Sequence, residues 1–224
     1  MPSEISAFPD VQIPGYDSAT AAPVHFDKLG ADYLKISRAR MAAEVYNRNC
    51  PAEYRTFDRS NPMVMANDTA VERVLSWKFQ KRGLLLAGPT GCAKTRTCWE
   101  LIYRLCDDGV EVAPYHAMDW LSKLHEGVKY GRDDAKEWVS AVAYRAVVFI
   151  DDWGQEANLK SRESWAQAWF FRFLDYRIER GLPLLMTTNL TGHDIAERHD
   201  NIKADPLLRR LLEICDVVKF GVKK

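Results

Sequence analysis

GLLLAGPTGCAKT, residues 83–95, decides how this chain folds. Gly83 to Ala87 is an apolar run of strand length. It leads directly into Gly88-Pro89-Thr90-Gly91-Cys92-Ala93-Lys94-Thr95, and Lys94 to Cys106 then carries a helical pattern. A strand that ends in a glycine-rich turn and opens a helix is the setting of a phosphate-binding loop, written Gly-x-x-x-x-Gly-Lys-Ser/Thr. Every fixed position matches except the second glycine, which is Ala93. Successive backbone N–H groups of such a loop form a concave nest, and the following helix adds the positive end of its dipole. Residues 88–95 are therefore the candidate nucleotide-binding set. Lys94 is expected to reach the β- and γ-phosphates of ATP, and Thr95 to offer its hydroxyl to Mg²⁺. Ala93 places a Cβ where the loop wraps the phosphates, which puts affinity rather than the site in question. The competing interpretation is an ordinary glycine turn.

Outward from the loop, further apolar runs fall at Val110–Tyr115, Ala146–Ile150 and Pro183–Met186, with a shorter one at Val217–Phe220. Between them the spacing predicts helices over Met118–Glu126, Asp133–Tyr144, Ser164–Arg180 and Asp194–Arg198. Strands apolar on both faces that alternate with helices make a parallel sheet covered on both sides. The fold class is α/β, with ligands at the carboxyl ends of the strands. Upstream, Thr69-x-x-Glu72 reads as a capping box for a helix to about Gln80. Ala31–Asn49 reads as another helix, stopped by Cys50-Pro51. Residues 1 to about 30, with Pro2, Pro9, Pro14, Pro23, Gly15 and Gly30, read as a flexible arm. The expected division is an arm and helix over 1–50 and an ATPase domain over 51–224.

Two polar groups complete the site. Val147-Val148-Phe149-Ile150 ends in Asp151-Asp152, and an acidic pair at the carboxyl end of a buried strand suits the metal edge beside a phosphate loop. Asp151 is the metal candidate. Asp152 is the candidate to orient or deprotonate the attacking water. After Leu184-Leu185-Met186-Thr187 comes Thr188-Asn189, and Asn189 would hold that water against the γ-phosphate if the fourth strand lies between the first and third. Asparagine is equally common in turns.

Composition narrows the classes. The chain has 224 residues, with 47% hydrophobic and 28% charged, which is enough for one sizeable core and too apolar for a disordered chain. Lys plus Arg number 31 and Asp plus Glu number 31, so any polyanion site is local. No apolar run approaches the roughly 20 residues of a membrane span, and the N-terminus lacks a signal pattern. A cytoplasmic protein with no membrane contact is expected. Cys50, Cys92, Cys98, Cys106 and Cys215 form no Cys-x-x-Cys pair and read as reduced thiols.

In order, GPTGCAKT, VVFIDDWG, LDYRIERGLPLLMTTNL and DPLLRRLLEICDVVKF resemble the AAA+ ATPases of the DnaC/DnaI helicase-loader group, which includes the IstB transposition helpers. The likeness covers about Cys50 to Phe220. It implies a P-loop NTPase sheet of AAA+ type flanked by helices, and it gives Asn189 a sensor role. Ala-Lys also occurs at this point in some AAA+ families, which implies that the Ala93 methyl can be accommodated. Many AAA+ proteins carry Glu where Asp152 stands, so slow hydrolysis is expected. The resemblance also implies an arginine that enters the neighbouring subunit's nucleotide site, and hence a head-to-tail homo-oligomer. Arg209 and Arg210 are the candidates, with Arg210 preferred because it precedes Leu-Leu-Glu. The group's C-terminal Ser-Tyr-Arg tail is absent, and its helicase-binding domain is reduced to about 50 residues without zinc-ligand spacing.

The implied activity is ATP-driven loading of a replicative helicase, of cellular or phage origin. A transposition helper and a nucleotide-gated adaptor with little turnover are the alternatives. Single-stranded DNA is a further candidate partner, through Lys123, His125, Lys129, Tyr130, Arg132 and Lys136 in a glycine-containing loop. Trp165, Trp169, Phe173 and Tyr176 on one helical face, with Phe170, Leu174 and Ile178 on another, indicate either a helix buried from two sides or a partner surface.

Overall fold

The computed structural model describes residues 26–130, 132–154, 164–191, 193 and 200–221. Five strands form one parallel sheet: β1 (Gly83–Ala87), β2 (Val112–His116), β3 (Val147–Trp153), β4 (Leu184–Thr188) and β5 (Cys215–Lys219), in the order β2-β3-β4-β1-β5. β4 thus lies between β1 and β3, as the sensor role of Asn189 requires. The helices are α1 (Phe26–Asn49), α2 (Pro62–Met65), α3 (Asp68–Leu75), α4 (Lys94–Asp107), α5 (Ala117–Tyr130), α6 (Arg132–Ala143), α7 (Ser164–Arg180) and one further helix, α8 (Asp200–Ile214). Among the described residues no helix is long and apolar enough to cross a membrane.

Alternation along the central strands splits their side chains between two cores. Leu84, Leu86, Val147, Phe149 and Leu185 face a layer of α1, α3 and α4. Leu85, Val148, Ile150, Leu184 and Met186 face α5, α6, α7 and α8. Each such side chain removed from water contributes roughly 1.5–3 kcal/mol. The lower half of α1 belongs to this packing: Ala42, Tyr46 and Cys50 are buried, and Tyr46 sets its ring edge-on to Trp99 and Tyr103.

Several local expectations are corrected. α1 begins at Phe26, so the stretch to Gly30 is helical; residues 1–25 lie outside the described residues. The Thr69-x-x-Glu72 box does not form. Asn67 takes the cap position, and its side chain is engaged elsewhere, with Nδ2 donating to the Met63 carbonyl and Oδ1 accepting from the Gly221 N–H. Thr69 falls inside the first turn, and Glu72 pairs with Arg59 instead. α3 stops at Leu75 because Trp77 turns inward, buried, with Nε1 donating to Arg82 O; Phe79 is left exposed. Asp194–Arg198 lies outside the described residues. α8 was not expected, since Pro206 sits inside it.

α7 spans the predicted residues and is buried from two sides: Phe170, Phe173 and Leu174 are in the core, and Trp169, Tyr176 and Ile178 pack against it. The Trp165 side chain lies outside the described ones. All five cysteines are buried, unpaired thiols.

Candidate nucleotide site

The loop after β1 has no room for side chains at its start. A Cβ on Gly88 would lie 2.0 Å from the Phe220 carbonyl oxygen on the neighbouring chain segment. Gly91 takes φ +80°. Ala93 has φ 65° and ψ 14°, a left-handed conformation that costs a residue with a Cβ roughly 1–2 kcal/mol. The departure from glycine is therefore a matter of backbone strain at the start of α4.

Lys94 follows with its side chain buried. Its ammonium donates to Gly88 O, Pro89 O and Asn189 Oδ1, each at 2.8 Å. Burial lowers its pKa. Three neutral acceptors hold the charge where phosphate oxygens of a nucleotide would replace them.

β3 delivers the acidic pair through an irregularity. Ile150 pairs with Met186 and Trp153 with Thr188, so three steps on β3 match two on β4. The extra residue is a bulge, with Asp152 at φ 59°. A regular strand would aim consecutive side chains to opposite faces. Here both carboxylates reach one cleft. Asp151 Oδ1 accepts from Thr95 Oγ1 at 2.9 Å and from Thr187 Oγ1 at 2.6 Å, while Asp152 Oδ1 accepts from Asn189 Nδ2 at 2.9 Å. The Asp152 backbone N–H donates to Thr187 Oγ1 at 2.8 Å. Asn189 thus bridges Lys94 and Asp152.

Burial raises the pKa of Asp151, against the lowering effect of the Thr187 and Thr95 hydroxyls, and the nearby Asp152 charge raises it further. A cation at this carboxylate would offset that penalty. Thr95 Oγ1 and Asp151 Oδ1 fit Mg²⁺: adjacent oxygens around an octahedral ion with bonds of about 2.0–2.1 Å lie about 2.9 Å apart. When bound, the ion supplies positive charge beside the phosphates.

These groups line a cleft of about 530 Å³, the size of a nucleotide pocket. Its walls include Pro51, Tyr54, Asn61, Met63, Arg96 and His116 as well as residues 90–95, Asp151, Asp152 and Asn189. Arg96 fixes the upstream wall, donating to Thr56 O at 3.0 Å and lying over the Tyr54 ring at 5.4 Å. Sequence reasoning missed that wall and Thr187. The signal for Thr187 was a hydroxyl at the end of an otherwise apolar strand; for the wall there was none beyond proximity in the chain.

The structure brings together the loop, Asp151, Asp152 and Asn189, and it does not bring Arg210 to them. Arg210 lies between α8 and α7, with Nε donating to Asp175 Oδ1 at 2.5 Å and its guanidinium over the Phe171 ring. Arg209 is exposed. The candidate DNA residues stand on a helical hairpin rather than a loop: α5 and α6 are separated by residue 131 alone, and Gly127 packs against Ala135. Lys123, His125 and Lys136 are exposed; the side chains of Lys129, Tyr130 and Arg132 lie outside the described ones.

Comparison with known proteins agrees with this geometry. The solved structure of DnaI is similar at TM-score 0.59 with 20% identity, over 77% of this chain and 95% of that one. The DnaC helicase loader gives 0.57 with 17% identity, over 76% and 100%. DnaA from Aquifex aeolicus, solved with bound AMPPCP, gives 0.55 with 15% identity, over 75% of this chain and 49% of that one. No curated protein sequence matches. A family profile does match, over residues 27–223, and its family is that of the IstB-like ATP-binding proteins. With most of the chain matched and the phosphate loop in place, this chain belongs to the IstB-like ATP-binding protein family.

Proposed function

We propose that the chain is a slow, Mg²⁺-dependent ATPase that works in DNA replication by loading a replicative helicase. The observation that carries the ATPase reading is the convergence of Lys94, Thr95, Asp151, Asp152 and Asn189 on one cleft. Lys94 binds the β- and γ-phosphates, and Thr95 with Asp151 holds the metal. Asp152 takes the proton of the attacking water, and Asn189 orients that water. Asn189 leaves Lys94 when phosphate oxygens arrive, which frees its amide oxygen for the water. The likeness to DnaI and DnaC over nearly the whole of those chains supports the loader role. ATP favours the assembled form on single-stranded DNA, and hydrolysis releases it. The IstB-like membership supports a second reading, a transposition helper with the same ATPase centre and a transposase as client.

Steady-state ATP turnover with and without single-stranded DNA tests the first step. Lys94→Ala is expected to weaken ATP binding about 10–100-fold, the loss of charge-assisted hydrogen bonds to phosphate. Intact ATP binding with no turnover under either condition would replace the ATPase by a nucleotide-gated adaptor. Co-purification with the replicative helicase or with the transposase of the same genome separates the clients.

A further inference from the structure

Between the end of α6 and the last two turns of α7, four flat groups form a ladder on the surface. Arg172 lies over the Tyr176 ring at 5.2 Å, and its Nε donates to the Tyr176 hydroxyl at 3.0 Å. The Tyr176 and Tyr144 rings stack within 25° of parallel, 6.4 Å between centroids. Arg180 lies over the other end of the ladder, 4.1 Å from the Tyr144 centroid, with Nη2 donating to the Tyr144 hydroxyl at 2.5 Å. Both arginines and Tyr144 are exposed.

We propose that this ladder is a platform for single-stranded nucleic acid. It rests on the reading that the chain works on DNA, and it places the contact at the end of the sheet opposite the nucleotide cleft. Tyr144 and Arg180 directly precede β3 and β4, whereas Asp151, Asp152 and Asn189 lie at the carboxyl ends of those strands. The length of a five-residue strand, about 17 Å, separates the two.

Charge and shape both favour this ligand. The surface residues Arg82, Arg104 and Arg145 face carboxylates. Arg172 has no carboxylate partner among the described residues, and its bond to a neutral phenol leaves the charge uncompensated. Arg180 shares its charge with Glu179 only at 3.7 Å. On a chain of zero net charge this is a local cationic spot, and guanidinium groups held by stacking keep free N–H edges for phosphates. Inside the ladder the tyrosine faces are taken up by their neighbours, and the flat faces left open are the outer guanidinium planes of Arg172 and Arg180, on which any base can stack. An acidic peptide would engage the arginines and leave the ring ladder without a role.

The test is fluorescence anisotropy of a labelled deoxythymidine oligomer with the full chain, across a salt series. Arg172→Glu with Arg180→Glu should weaken binding at least about 10-fold and reduce the log–log salt slope by about 1.4, two phosphate contacts on a single strand. Tyr144→Ala, which removes the ring that holds the Arg180 plane flat, should weaken it about 2–5-fold with the slope kept, and Tyr144→Phe should retain most affinity. A fluorescent ATP analogue should bind all variants as it binds the parent chain, which separates a lost platform from a lost fold. Unchanged oligomer affinity in the charge-reversed variant overturns the proposal. So does a response to charge reversal alone with equal displacement by polyglutamate, which would assign the surface to acidic peptides. If the parent chain binds no oligomer at all, both the platform and the DNA-linked reading fall, and an ATPase dependent on Lys94 can still stand.

Discussion

Ala93 and Asp152 are the two non-glycine residues with positive φ among the described residues, and both stand at the nucleotide cleft. Strain of this kind persists where surrounding contacts over-determine a conformation. For Asp152 those contacts are visible: its N–H is held by Thr187 and its carboxylate by Asn189. Aspartate also tolerates the left-handed region better than most residues. Ala93 has no such compensation, since its side chain makes no cap and its carbonyl simply accepts from the Thr97 N–H and hydroxyl. Replacing it by glycine removes the strain. Ala93→Gly should therefore relieve about 1–2 kcal/mol of strain and lose about 0.4–1 kcal/mol to the extra chain entropy of glycine, a net gain of about 0.5–1 kcal/mol or about 1–4 °C in melting temperature at this size. Differential scanning calorimetry checks this, and a fall in melting temperature would show that the left-handed conformation is not the native one.

At the scale of elements, two guanidinium groups close the amino edge of the sheet. Arg82, just before β1, donates to the carbonyls of Leu212, Glu213 and Cys215 at the end of α8 and to Asp216. Arg177 on α7 is fully buried and donates to Ala143, Arg145 and Ala146 at the end of α6 and to Pro183 before β4. Helix ends leave carbonyls without partners, and here arginines supply the donors. Burial pushes the Arg177 pKa down to about 10, the sign of a charge held in the interior without a carboxylate. Arg177→Met keeps the length and apolar stem but strands those carbonyls, and roughly 3 kcal/mol or more of stability should be lost. Arg177→Lys, with one nitrogen for several acceptors, should fall between. Urea midpoints at constant slope measure both, and a methionine variant as stable as the parent would refute the capping role.

Arg177 also shows what the sequence could and could not disclose. α7 was legible because apolar residues cover two faces from Ser164 to Arg180 and Gly181 follows, but a guanidinium inside the apolar arc gave no hint of its acceptors, which lie on other elements. β1 was legible to the residue because glycines flank a pure leucine run. The bulge at Asp152 was not, since it exists only in the pairing of β3 with β4. α8 was hidden by Pro206, a breaker signal that the packing of Leu207, Leu211 and Ile214 on the core overrides. The candidates Asp152 and Asn189 stood out because each follows an apolar run of strand length.

For the whole molecule, the cleft is short of positive charge. Among the described residues its lining carries two permanent cations, Lys94 and Arg96, and Arg96 is directed to Thr56 and Tyr54. A γ-phosphate leaving for water develops charge that a guanidinium commonly stabilises, so we propose that a second copy supplies it from α8. Of the two candidates, Arg209 is exposed, while Arg210 would first have to leave Asp175. Arg209→Ala should then lower turnover at least about 10-fold at unchanged ATP affinity. Arg210→Ala should cost about 1 kcal/mol of stability or less, because its ion pair is half exposed. Turnover per chain should rise with protein concentration, as only assembled sites are complete. The decisive measurement mixes Lys94→Ala chains with Arg209→Ala chains, each inactive alone. A Lys94→Ala chain can lend its Arg209 to the intact loop of its neighbour, so the mixture should regain turnover. Full activity of Arg209→Ala alone, or a mixture as inactive as its parts, would sink the assignment to Arg209; recovery with Arg210→Ala in its place would transfer the role to Arg210.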